Sequence, residues 1–182
     1  MNRNGLLLDP SVPGGVSGDL ELQRFVELLA SDYLRPLGRS LFPEFAGDTG
    51  DDVKHYAFTI RYGAAEDNRE TNAAKDALNT PTDWDLKEHS DASVYTLNIN
   101  LNLSEEDYSG SSLYFVTQEG RNNTKCPSEV RFEPGTALLH RGMTKHGARP
   151  LEGGKRNNLI IWLHGIDGYV RIAPYEEKER LS

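Results

Sequence analysis

The segment Glu88-His89-Ser90-Asp91-Ala92-Ser93, with its continuation Val94 to Leu103, constrains this chain more than any other. A histidine and a carboxylate stand two residues apart, and side chains at i and i+2 of an extended segment share a face. Two such groups form the larger part of a metal site that still needs a ligand from elsewhere. In the continuation, Leu97, Ile99, Leu101 and Leu103 alternate with Asn98, Asn100 and Asn102, the period of a half-buried strand. His89 and Asp91 share the odd parity of the leucines. An unbroken strand would therefore place the metal ligands on the core face.

Composition narrows the chemistry of that site. Cys126 is the one cysteine in 182 residues, so a metal must be held by histidine and carboxylate rather than by thiolates, and no internal disulfide forms. The net charge of −8 argues against binding through nucleic-acid phosphates. The longest apolar run, Leu159 to Leu163, is far too short to cross a bilayer. At the N-terminus, Asp9 and Pro10 end the run Leu6-Leu7-Leu8 after three residues, which is no secretion signal and makes an intracellular setting the default expectation. The length fits one domain over 1–182.

Along the chain, Leu22, Phe25, Val26, Leu29 and Tyr33 recur at helical spacing and predict a helix over about 19–35. Ser17 or Asp19 would be its N-cap and Pro36 its stop. His55 to Tyr62 is a β-rich run ended by Gly63. Residues 64–85 are polar and aperiodic, and read as a long surface insertion. Its acidic residues Glu66, Asp67, Asp83 and Asp85 suit a solvated face and are compatible with a basic peptide partner. Four more strands are expected at Ser112 to Thr117, Glu129 to Phe132, Thr136 to His140 and Asn157 to Leu163. Many short strands after one helix point to a sandwich or barrel. Trp84 and Trp162 default to packing, with Trp84 also placed to line a substrate groove.

Four histidines are candidates for the third ligand: His55, His140, His146 and His164. His146 follows a strand and is flanked by Gly142 and Gly147, which let backbone approach a site closely, and His140 lies six residues earlier at a strand end. Two histidines and one carboxylate leave positions open on an octahedral metal, the arrangement of non-haem Fe(II) oxygenases, although zinc accepts the same donors. Arg156, ten residues past His146, begins the last strand, where a guanidinium can hold a carboxylate through paired hydrogen bonds.

The ordered set of His89-Ser-Asp91, His146 and Arg156 resembles the 2-oxoglutarate- and Fe(II)-dependent dioxygenases, in the prolyl and lysyl hydroxylase branch. The wording is similar to that of procollagen-lysine hydroxylase catalytic domains in His89 to Asn102, Asp107-Tyr108-Ser-Gly110, Phe132 to His140 and His146-Gly147. The resemblance covers about residues 55–165. It implies a mainly β fold with a flanking α-helix and a double-stranded β-helix (jelly-roll) core, with His89, Asp91 and His146 as the Fe(II) ligands. By the same resemblance Arg156 holds the distal carboxylate of 2-oxoglutarate and Tyr62 hydrogen-bonds it. The implied reaction couples decarboxylation of 2-oxoglutarate by O2 to hydroxylation of a C–H bond, with ascorbate as auxiliary reductant. The implied substrate is a peptidyl Lys or Pro. A small-molecule hydroxylase and a non-enzymatic jelly-roll module that binds metal or carboxylate are the competing readings. The chain departs from the wider family at Asn158, where many relatives outside this branch carry Ser, and from the expected pattern near Tyr108, where Ser109-Gly110-Ser111 stands in place of Gly-Gly.

Overall fold

The alternating segments become ten strands in the computed structural model, which describes residues 7–8, 20–43, 55–63, 84–119 and 124–164. The larger antiparallel sheet runs β1 (His55–Tyr62), β10 (Arg156–Leu163), β3 (Tyr95–Asn100), β7 (Ala137–Arg141). A second runs β2 (Leu86–His89), β8 (His146–Ala148), β5 (Leu113–Glu119), β6 (Thr124–Val130). The short strands β4 (Tyr108–Gly110) and β9 (Leu151–Gly154) pair separately. Residues of both four-stranded sheets line one cavity, the jelly-roll arrangement.

Strand parity in the larger sheet separates two environments. Ala57, Ile161, Leu97 and Leu139 are register partners across the sheet and pack toward the helical layer with Val26, Ala30 and Leu34. Each fully buried leucine or isoleucine there contributes about 1.5–3 kcal/mol. The next row, Tyr56, Trp162, Thr96 and His140, turns the other way and lines the cavity.

This overturns the expectation that the ligands share the leucine face. The chain leaves β2 at His89, turns through residues 90–94 and enters β3 in the other sheet, so parity does not carry across the turn. The inner face of β3 is polar, with Thr96, Asn98 and Asn100, and its leucine face belongs to the helices. The strand also ends at Asn100, which leaves Leu101 and Leu103 exposed. Asn102 makes the turn: its amide donates to Lys155 O (2.9 Å) and Asp107 (3.2 Å), and its Oδ1 accepts from Asn157 N–H (2.9 Å).

The helix continues past Pro36. Helix α1 (Leu20–Leu28) opens into a π-helical turn, Leu29–Leu34, and resumes as α2 (Arg35–Leu41), with the proline in its first turn. There a missing N–H costs little, so the proline does not stop the chain. The buried stripe is Val26, Ala30 and Leu34, while Phe25 and Tyr33, expected on it, are exposed. The expected N-caps Ser17 and Asp19, and the insertion apart from Trp84 and Asp85, lie outside the described residues. The strand expected at Glu129 to Phe132 is instead Thr124–Val130.

Candidate metal centre

Strand pairing brings the two outer ligand candidates together. His89 ends β2 and His146 begins β8; they are register partners, with ring centroids 4.4 Å apart. Asp91 is set by a tight crossing of two turns. Its N–H donates to Gly142 O (2.8 Å), and Gly142 N–H donates to Val94 O (3.0 Å). A Cβ at Gly142 would stand 2.0 Å from Ser93 O, so the crossing requires glycine. Asp91 Oδ1 lies 3.4 Å from His89 Nε2, and Oδ2 lies 3.7 Å from His146 Nε2. The ligand atoms of these three residues all lie within 4.8 Å of one another.

Backbone carbonyls fix the imidazoles. His89 Nδ1 is 2.9 Å from Lys87 O, and His146 Nδ1 is 2.8 Å from Thr144 O. A carbonyl only accepts, so each Nδ1 carries a proton and each Nε2 faces the centre, as a lone pair in the neutral ring and as an N–H toward Asp91 in the imidazolium. Asp91 Oδ2 accepts from the Thr96 hydroxyl at 2.6 Å.

The structure also puts His140 at the centre's edge. Its Nε2 is 3.7 Å from Asp91 Oδ2, its Nδ1 is 3.0 Å from Arg141 O, and its ring is 4.6 Å from that of His146. His55 and His164 do not line the cavity. Burial pushes the His140 imidazole down to about 4, and burial likewise lowers His146. The hydrogen bond with Asp91 raises His89. Burial alone would raise Asp91, but its bonds with His89 and Thr96 and the charge of His146 outweigh this and hold it below its ordinary range. An ionised carboxylate among imidazoles presenting lone pairs is a donor set for a divalent cation.

Arg156 is fully buried in register with Tyr62, whose ring centroid lies 4.4 Å from the guanidinium carbon. Nη1 donates to Ser111 O, while the buried Nε and Nη2 have no hydrogen-bond partner among the described residues. The adjoining cavity, of about 420 Å³, is lined by Tyr62, Asn158, Ile160, Thr96 and the three candidate ligands among others. Thr96 is one site residue that sequence reasoning missed. Its signal was a hydroxyl that extends the even-numbered polar register of Asn98 and Asn100 toward Asp91. The Asn98–Asn158 pair, 2.6 Å from Nδ2 to Oδ1, was also missed as a site feature.

No family model matches the chain. Among curated relatives, it is 32% identical over 152 residues to the 2-oxoglutarate and iron-dependent oxygenase domain-containing protein 2 of Xenopus tropicalis, covering 83% of this chain and 38% of that protein. It is also 32% identical over 168 residues to the 2-oxoglutarate and iron-dependent oxygenase domain-containing protein ICU11 of Arabidopsis thaliana, covering 89% and 35%. The chain belongs to the 2-oxoglutarate- and Fe(II)-dependent oxygenase superfamily. The chain spans little more than a third of those relatives' length. A Pseudomonas putida prolyl-4-hydroxylase shares the fold of this chain at TM-score 0.53 and 14% identity, over 87% of this chain and 67% of that one. A 2OG-Fe(II) oxygenase family oxidoreductase from Burkholderia pseudomallei does so at 0.50 and 15%, over 80% and 59%.

The residues present fit the superfamily's metal and co-substrate. The centre offers two imidazole nitrogens and one carboxylate, and the two unused donors of buried Arg156 match a carboxylate.

Proposed function

We propose that this oxygenase domain hydroxylates a C–H bond of a peptidyl Lys or Pro, converting 2-oxoglutarate, O2 and R–H into succinate, CO2 and R–OH. His89, Asp91 and His146 hold Fe(II), and Arg156 with Tyr62 holds the distal carboxylate of 2-oxoglutarate. Iron and the keto acid supply the oxidising power; the protein supplies position and exclusion of water. His89 and His146 each keep Nδ1 protonated on a carbonyl, so Nε2 stays available to metal. Thr96 holds one carboxylate oxygen and so restricts the rotation of Asp91. The apolar cavity wall of Tyr56, Phe58 and Trp162, with ring centroids 5.1–6.0 Å apart, suits the stem of a lysine or the ring of a proline.

The observation that carries this reading is the fully buried Arg156, with two donors unused, at the start of the strand whose Asn158, Ile160 and Trp162 line the same cavity as the histidine–carboxylate centre. Anaerobic addition of Fe(II) and then 2-oxoglutarate, followed by visible absorption, tests it. A weak charge-transfer band should require both additions and be lost or weakened in Arg156→Ala. A folded protein that takes up iron but shows no band would overturn the reading.

A further inference from the structure

Ser111 is, among the described residues, the one non-glycine with positive φ, at 58°. Glycine occupies such a position without steric cost, and Gly110 beside it does so at 75°. A serine there is strained, and strain that persists in a buried segment points to a local requirement. Ser111 is 1% exposed. Its main chain is fully engaged, since N–H donates to Pro150 O (2.9 Å) and its carbonyl accepts from Arg156 Nη1.

Its hydroxyl is different: Oγ is buried and has no hydrogen-bond partner among the described residues. A buried hydroxyl without a partner is destabilising, and so is the left-handed backbone that carries it. A glycine would remove both costs. The hydroxyl is bound to the residue whose carbonyl already touches the guanidinium, so covalent geometry keeps it within a few ångströms of Arg156. Arg156 Nε and Nη2 are likewise buried and unused. Two adjoining residues thus keep three polar atoms unsatisfied in one place, and each of them can donate a hydrogen bond.

We infer that Ser111 is a co-substrate-binding residue: its hydroxyl donates to the same distal carboxylate that Arg156 grips, completing the bonds that all three atoms lack. This rests on the proposed 2-oxoglutarate reading. The hydroxyl then selects for a keto acid that ends in a carboxylate, because only such a ligand satisfies the donors it desolvates.

Calorimetric titration of the Mn(II)-loaded protein with 2-oxoglutarate and with 2-oxopentanoate, which lacks the distal carboxylate, tests the inference. Ser111→Gly and Ser111→Ala should each weaken 2-oxoglutarate about tenfold and leave 2-oxopentanoate within about twofold. Ser111→Gly should also unfold at a higher temperature than wild type, since it removes the backbone strain. A 2-oxoglutarate affinity within about twofold of wild type in both variants would overturn the inference. So would an equal loss for both ligands, or a loss in only one variant, because each traces to the backbone rather than the hydroxyl. Arg156→Met, measured in parallel, separates the two claims. If it binds 2-oxoglutarate as wild type does, the co-substrate reading fails, whatever Ser111 does.

Discussion

Thr96 donates its hydroxyl hydrogen to Asp91 Oδ2 across 2.6 Å, and Ser93 Oγ lies 2.8 Å from Thr96 Oγ1. The carboxylate only accepts, so Thr96 spends its proton on Asp91 and Ser93 donates to Thr96 in turn. All three side chains are buried. Thr96→Val keeps the shape and removes the bond. Manganese affinity, followed by electron paramagnetic resonance, should fall at least about tenfold, the usual effect of removing a group that orients a metal ligand. Affinity equal to wild type would show that Asp91 needs no such support.

The two histidines that stand 3.7 Å from Asp91 Oδ2 should behave differently. His146→Ala should abolish stoichiometric metal uptake, whereas His140→Phe should still bind one metal per chain. Metal analysis after desalting decides between them. The reverse outcome would move the ligand assignment to His140.

Gly142→Ala should disturb the centre without touching a ligand. The new methyl meets Ser93 O at 2.0 Å and Ser93 Oγ at 2.4 Å, both in the turn that carries Asp91. Urea unfolding should show a loss of about 1–3 kcal/mol, and metal affinity should drop with it. Unchanged affinity would mean the turn relaxes without moving the carboxylate.

Ile161→Ala should do the opposite. Its side chain is fully buried on the helical side of β10. The cost should be about 2–5 kcal/mol in urea unfolding, with metal stoichiometry unchanged. Loss of metal binding in a folded variant would contradict the division of the sheet into a helical and a cavity face.

Asp107 gives a pH-dependent contribution. Its carboxylate accepts from Asn102 Nδ2 and from the N–H groups of Leu103 and Ser104, and these bonds hold it below its ordinary 3.8. A depressed carboxylate stabilises the fold above its unfolded value and loses that contribution as pH falls through the folded one. Asp107→Ala should therefore lower the thermal midpoint at pH 7, and the gap from wild type should close as the pH drops below about 4. A gap independent of pH would show that charge is not the cause.

Strand β1 lies where the sequence placed it, because its β-branched and aromatic run ends abruptly at Gly63. His89 and Asp91 were legible as a spacing, since residues two apart on an extended segment are a local fact, whereas His146 pairs with His89 from a strand far along the chain and was singled out only by the resemblance. The faces were not legible. Alternation along β3 shows that two environments exist without telling which is the helical layer and which the cavity, and here the polar face is the inner one. Pro36 misled because a stop signal depends on the register of the preceding turn, and a π-helical turn supplies an unusual one. Ser111 was visible only as a departure from Gly-Gly; its backbone angle and orphaned hydroxyl belong to the three-dimensional structure.

His89 and His146 belong to one sheet, whereas Asp91 leads into the strand that joins the other. An ion gripped by all three is therefore a stitch through two fabrics, closing the seam between them at the end where the turns cross. Metal uptake and resistance to unfolding become a single thermodynamic quantity. A chelator would then loosen the seam as well as silence the chemistry.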